Sequence, residues 1–186
     1  MGFCLLSNAA IAAKYALKRG LKNIAILDFD VHHGNGTEAC IQALPEIRLA
    51  SSHEYPLYPG TGKADFTGKL GNIRNITLDA GCTMKEYESK YDEEILPWLL
   101  ENKPELIIVS CGYDALEVDP LAQLEWQPKD YGMLMRKLIK KVGRGKVVLG
   151  LEGGYELDGI GKAFVETIKA CCEEEKAKEK EEAVVH

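Results

Sequence analysis

Ile24-Ala25-Ile26-Leu27-Asp28-Phe29-Asp30-Val31-His32-His33-Gly34-Asn35-Gly36 decides the fold. An apolar run of strand length ends in four ionisable side chains and a Gly-Asn-Gly turn. A buried strand end tolerates such charge only beside a metal or a charged partner, because desolvating unpaired charge is costly. Side chains two apart on a strand share a face. Asp28, Asp30 and His32 therefore fall on one side, and Phe29, Val31 and His33 on the other. A carboxylate oxygen and an imidazole nitrogen at that spacing suit one divalent ion of zinc's preference. Alone, the same spacing also describes a capped strand end.

Outward from this strand, the pattern alternates. Ser7 to Arg19 has apolar residues at helical spacing, with Ser7 as cap and Gly20 as terminator. Asn23 to Asp30 is a strand, Thr37 to Leu44 a short helix, and Ile47 to Ser52 a second strand. The segment from His53 to Gly62 is too rich in proline, glycine and aromatics for regular structure and reads as a shaped surface loop. Asn72 to Leu78 is a further strand, and Thr83 to Glu101 one long amphipathic helix. Leu106 to Cys111 has the continuous apolar character of a strand covered on both faces. A loop runs to Gln127, and a helix from Pro128 to about Val142 follows it. Lys146 to Leu151 reads as another buried strand, and Ile160 to Cys172 as the closing helix. Strands alternating with helices predict a three-layer, mostly parallel α/β sheet.

Length and composition narrow the class. The 186 residues suit one domain, and 46% hydrophobic with 28% charged residues reads as soluble and globular. No apolar run is long enough to cross a bilayer, and the first residues lack a secretory pattern. A net charge of −6 argues against a nucleic-acid footprint. Half of it comes from residues 173–186, where six glutamates face three lysines, which reads as a charged tail after a domain spanning residues 1–172. The six cysteines show no C-x-x-C spacing and suit a reducing, intracellular setting, with the cytoplasm the expected one.

Ligands of open parallel sheets bind beyond the carboxyl ends of the strands. Three strand ends here carry unusual residues: Asp28 to His32, Gly112-Tyr113-Asp114 with Asp119 beyond it, and Glu152-Gly153-Gly154-Tyr155. Together with Gly2-Phe3-Cys4, Tyr58-Pro59-Gly60-Thr61-Gly62 and Asp119-Pro120-Leu121, these blocks resemble the zinc-dependent histone deacetylase and acetylpolyamine amidohydrolase family, of the arginase/deacetylase fold. The resemblance runs from Gly2 to about Ile168. Asn35 and the Leu-Glu-Gly-Gly-Tyr block resemble its class II and bacterial branch.

The resemblance implies a function residue by residue. Asp30, His32 and Asp119 match the zinc ligands, and Tyr155 the phenol that hydrogen-bonds the developing oxyanion. Asp28 and Ser51, with backbone carbonyls near Asp30, His32 and Ser52, match a potassium site behind the zinc. Phe3 and Tyr58 match the aromatic walls of an acyl-lysine tunnel, and Gly2 a position whose carbonyl receives the substrate amide. Gly153 and Gly154 match the tight turn beside the substrate. Trp126, seven residues after Asp119, falls where the family has an aliphatic gatekeeper. The implied reaction is hydrolysis of an N-acetyl amide on lysine or a polyamine by metal-activated water. The implied partner is the acetylated substrate, with neither nucleic acid nor membrane.

The family's tandem-histidine general base matches no residue of this chain, since it precedes the Gly-Phe-Cys block. His32-His33 is not that pair. The sequence therefore reads as a deacetylase fragment lacking the amino-terminal strands, with an exposed sheet edge expected. A non-catalytic metal-holding or interaction module derived from such a fragment is the alternative. An arginase-like binuclear manganese site needs a carboxylate where the chain has Gly34, so one metal is expected.

Overall fold

The apolar run before the aspartates forms β1, Ile24–Asp28, buried throughout. A computed structural model of the chain describes residues 3–143 and 145–184, with side chains described through residue 172. Gly2 and the charged stretch 173–186 thus fall outside the described side chains. β2 (Ile47–Glu54) and β4 (Leu106–Cys111) flank β1. β3 (Ile73–Leu78) and β5 (Val147–Leu151) complete a five-stranded sheet in the order β3-β2-β1-β4-β5. Every pairing is parallel. Asp28 lies opposite Ser51 on one side and Ser110 on the other. The chain moves outward from β1 to β3, then returns to lay β4 against the free side of β1. Such a reversal of strand order opens a crevice beyond the carboxyl ends of β1 and β4.

Helices cover both faces. α1 (Asn8–Lys18) starts where the Ser7 hydroxyl accepts the Ala10 N–H at 3.2 Å. With α2 (Asn35–Ile41) it packs Ala9, Ala13 and Ile41 onto Ile24, Ile26 and Leu49. The opposite face carries α3 (Met84–Lys90), α4 (Leu96–Leu100), α5 (Pro128–Val142) and α6 (Leu157–Val184). They enclose Leu27, Val109 and a group of buried aromatics, among them Tyr87, Tyr91, Tyr113 and Tyr131. Burying this apolar surface at roughly 25 cal/mol per Å² is the main stabilising contribution.

Four sequence expectations need correction. The single helix expected from Thr83 to Glu101 is interrupted by a π-helical turn at Tyr91–Ile95. Pro97 lacks an N–H, and its ring crowds the carbonyl four residues earlier, at Glu93 inside that turn; the widened turn absorbs both defects. His53 and Glu54, assigned to the loop, instead extend β2 and are buried. β5, expected to be buried, is the sheet's edge, with Val148 49% and Leu151 63% exposed. Trp126 lies in the core at 1% exposure, stacked on Tyr87 at 4.6 Å, and does not line the crevice. An indole is large and apolar enough to fill the gap under the loop leading into α5, and that gain outweighs exposure at a pocket mouth.

Asn72 fastens the corner that sets the β2–β3 register. Its side-chain amide points at the carbonyls of Ile41, Leu44 and Ile47 at 3.1, 3.1 and 2.9 Å. Removing it takes these bonds away, and only the Ile41 and Leu44 carbonyls keep a backbone donor, the N–H groups of Leu44 and Ile47. Asn72→Ala is expected to lower unfolding free energy by about 3 kcal/mol, read as a shift of the urea midpoint at unchanged slope.

Candidate metal centre

The crevice between the ends of β1 and β4 gathers the titratable groups. Asp30 Oδ1 accepts the His32 N–H at 2.9 Å and lies 3.2 Å from His32 Nδ1. Asp114, just beyond β4, accepts the Val31 N–H at 2.8 Å with one oxygen and faces His32 Nδ1 at 3.1 Å with the other. One ligand atom from each of Asp30, His32 and Asp114 lies within 4.8 Å of the others. Although β1 ends at Asp28, alternation continues past it: Phe29 and Val31 enter the core while Asp30 and His32 face the crevice. His33 breaks the expected pattern. The chain bends at Val31 and His32, and the His33 ring turns toward α2, bonding Glu38 and Thr61 rather than following Phe29 and Val31.

Two glycines make this approach possible. A Cβ at Gly112 would overlap Asp30, and one at Gly153 would overlap the carboxylates of both Asp114 and Asp30. The Gly153 N–H instead donates to Asp30 Oδ2 at 2.9 Å, so β5's turn closes directly on the cluster.

The electrostatics call for a cation. Burial opposes charge on His32, but the Asp114 and Asp30 carboxylates override it and raise its pKa to about 10. Burial and the neighbouring Asp30 push Asp114 up. Asp28 behaves alike: desolvation, then Asp30, raises its carboxyl well above the usual range. Fully ionised, these three carboxyls would carry more negative charge than one imidazolium neutralises, so Asp28 and Asp114 are pushed toward their neutral forms unless a cation joins them. Asp28 accepts the Asp30 N–H at 3.1 Å, and Ser51 Oγ lies 3.0 Å from His53 Nδ1.

Asp119, a zinc ligand by the resemblance, uses its side chain on the backbone here. Its two oxygens accept the backbone N–H groups of Leu121 at 2.9 Å and Tyr155 at 2.8 Å, and it stands outside the 4.8 Å group. It thereby stitches together two segments of the cavity wall. Tyr155 lines the same cavity as Asp30 and His32, 36% exposed, with its ring edge-on to Phe3 at 5.9 Å. Burial, then the charges of Asp114, Asp30 and Asp119, lifts its phenol to about 12, so it keeps its proton at neutral pH. The Tyr58 ring lies 6.4 Å from that of His32, and Gly154 belongs to the same wall. The cavity encloses about 780 Å³, with Leu57 and Leu121 adding apolar surface. Sequence reading missed Leu121 and understated Asp114. Only the position of Leu121 right after Asp119-Pro120 hinted at its place on the wall.

Comparison with known proteins shows the family and the fold. The family model of the histone deacetylase domain matches residues 1–171. An uncharacterized protein of Synechocystis sp. is 50% identical over 170 residues, covering 91% of this chain and 55% of its own length. Histone deacetylase 14, chloroplastic, of Arabidopsis thaliana is 41% identical over 177 residues, covering 91% and 42%. The crystal structure of the HDA15 HD domain superposes with a TM-score of 0.88 at 35% identity, covering 92% of this chain and 52% of that one. The chain belongs to the histone deacetylase domain family. It spans about half the length of the curated relatives it matches. No described helix is long and apolar enough to cross a membrane.

Two tests follow from the geometry. If the Asp30–His32–Asp114 group takes up a divalent cation, Gly153→Ala is expected to weaken that binding about tenfold or more, with the far-UV spectrum unchanged, as measured by competition with a chelating dye. His53 is held neutral: burial depresses its pKa from 6.5 to about 4. The unfolded chain takes up this proton first, so the stability is intact above pH 6.5 and is lost as pH falls toward 4. Urea unfolding of the native chain should lose about 2 kcal/mol more between pH 7.5 and pH 5 than His53→Gln does.

Proposed function

We propose that the chain carries the metal-binding and carbonyl-activating part of a zinc-dependent deacetylase acting on N-acetyl amides of lysine or of small amines. The observation that carries the reading is the convergence of Asp30, His32 and Asp114 at a strand-order reversal, with the Tyr155 phenol lining the same cavity. Two carboxylates and an imidazole within reach of one another fit zinc's donor preferences. Bound there, zinc would polarise an acyl carbonyl and make water a better nucleophile near neutral pH.

The chain's own residues supply the rest. Tyr155, protonated at neutral pH, donates a hydrogen bond to the carbonyl oxygen as charge develops on it. Phe3 and Tyr58 flank an extended acyl-lysine stem, and Leu57 and Leu121 keep water from its sides. Asp28 and Ser51 would hold a potassium ion behind the zinc, which explains why a carboxyl stays so deeply buried. Asp30 and His32 are the fixed ligands. For the third, the family resemblance favours Asp119, whereas proximity favours Asp114, which needs no movement. Asp114→Asn and Asp119→Asn distinguish them, since the true ligand's loss weakens zinc binding far more.

A second reading rests on the histidines. His33 uses both ring nitrogens in hydrogen bonds, and so does His53. Neither is placed to move a proton at the carbonyl, and a positioned base contributes about 10²–10⁴ in rate. That favours a metal-holding module that does not turn over by itself.

Calorimetry with zinc, together with acetate release from an acetyl-lysine peptide and an acetylated polyamine, separates the readings. The deacetylase reading expects one zinc per chain, lost in Asp30→Asn, and release falling about 10²–10³-fold in Tyr155→Phe. Zinc without release marks the module. A chain that takes up no zinc sinks both.

A further inference from the structure

His33 and His53 stand outside the chemistry above, yet each is fully engaged. Their ring centroids lie 4.7 Å apart, the planes tilted by 48°. A carboxylate only accepts hydrogen bonds, so His33 Nε2–H donates to Glu38 Oε2, at 2.9 Å. In the neutral ring Nδ1 is then an acceptor, and the Thr61 hydroxyl, 2.8 Å away, donates to it. His53 repeats the arrangement, with Nε2–H donating to the Gly62 carbonyl at 2.8 Å and Nδ1 accepting from Ser51. Two consecutive loop residues, Thr61 and Gly62, are therefore each gripped by one imidazole. Glu38 takes a second hydrogen bond, from Asn75 on β3 at 3.0 Å, which anchors the arrangement in the sheet. Gly62 has φ +85°, and a Cβ there would run into both rings.

The gripped loop carries Tyr58, and the Gly60 N–H closes its turn onto the Leu57 carbonyl at 2.7 Å. His33 is also the residue directly after His32. One imidazole thus touches the loop while its backbone neighbour faces the crevice. We propose that His33, braced by Glu38, is a positioning residue that fixes the Tyr58 loop against His32 through Thr61, and so sets the width of the entrance for an acyl-lysine side chain. The effect on substrate rests on the deacetylase reading; the grip on the loop does not.

Thr61 tests this without touching the metal cluster. Thr61→Val removes the hydroxyl at nearly constant shape, and Thr61→Ser restores it. The readouts are hydrogen exchange of residues 55–62 in the metal-free chain, the cobalt absorption spectrum, and anisotropy of a fluorescein-labelled acetyl-lysine peptide on the cobalt-loaded chain. The loss of one hydrogen bond predicts about three- to tenfold faster loop exchange and similarly weaker peptide binding in Thr61→Val. The cobalt spectrum should not change, and Thr61→Ser should behave as wild type. Glu38→Gln, which keeps an acceptor for His33, should also retain a slow loop.

Loop exchange within twofold of wild type in Thr61→Val overturns the proposal. So does a loosened loop with unchanged peptide affinity. A wild-type chain that binds cobalt but no peptide, while Thr61→Val still frees the loop, rejects the deacetylase reading and upholds the grip.

Discussion

Three carboxyls, those of Asp28, Asp30 and Asp114, meet in one crevice where the strand order reverses, and the rest of the site is arranged around keeping them together. Their desolvation is tolerable only with positive charge and donated hydrogen bonds close by. The protein supplies several: His32 between Asp30 and Asp114, and the amides of Asp30, Val31 and Gly153. Each donor must come within about 3 Å, which forbids side chains at Gly112 and Gly153. The glycines are therefore consequences of the charge, and so is the path of the chain between β5 and α6.

The same demand explains how the cavity is assembled. Asp119 uses both oxygens on backbone amides, one from the Leu121 wall and one from Tyr155. The phenol is thus held from its main chain, and its ring is left free to lean on Phe3. The aromatic loop on the other side is held by imidazoles instead. The two sides of the mouth are fastened by different chemistry to the same sheet.

Much of this was legible in the residues. The apolar run ending at Asp28 announced β1, and the Leu106–Cys111 run announced β4, because a strand covered on both faces has no polar alternation to hide it. The strand-end rule then pointed to the crevice. Other features depended on contacts that sequence spacing does not encode. The periodicity of Tyr87, Tyr91 and Ile95 continues through the π-helical turn, so only Pro97 hinted at the break. Val147–Leu151 looks as apolar as a central strand, yet it lies at the edge. Trp126 sits at a pocket-like interval from Asp119, but a chain that folds back under a loop does not preserve intervals. Asp114 carries no metal-ligand spacing of its own; its closeness to His32 follows from β1 and β4 being neighbours, which no local motif states.

The distances along the chain have a kinetic meaning. Val31 and Asp114 are 83 residues apart, and Asp30 and Gly153 are 123 apart. Closing such loops costs entropy before any contact rewards it. The β1–β2–β3 corner, knit by near neighbours around Asn72, forms on far shorter closures. Loop-closure entropy alone would complete the crevice last, with β4 and then β5 joining a half-built sheet. On that order its acidic residues would stay hydrated until the end, and their desolvation would place no burden on the early stages of folding.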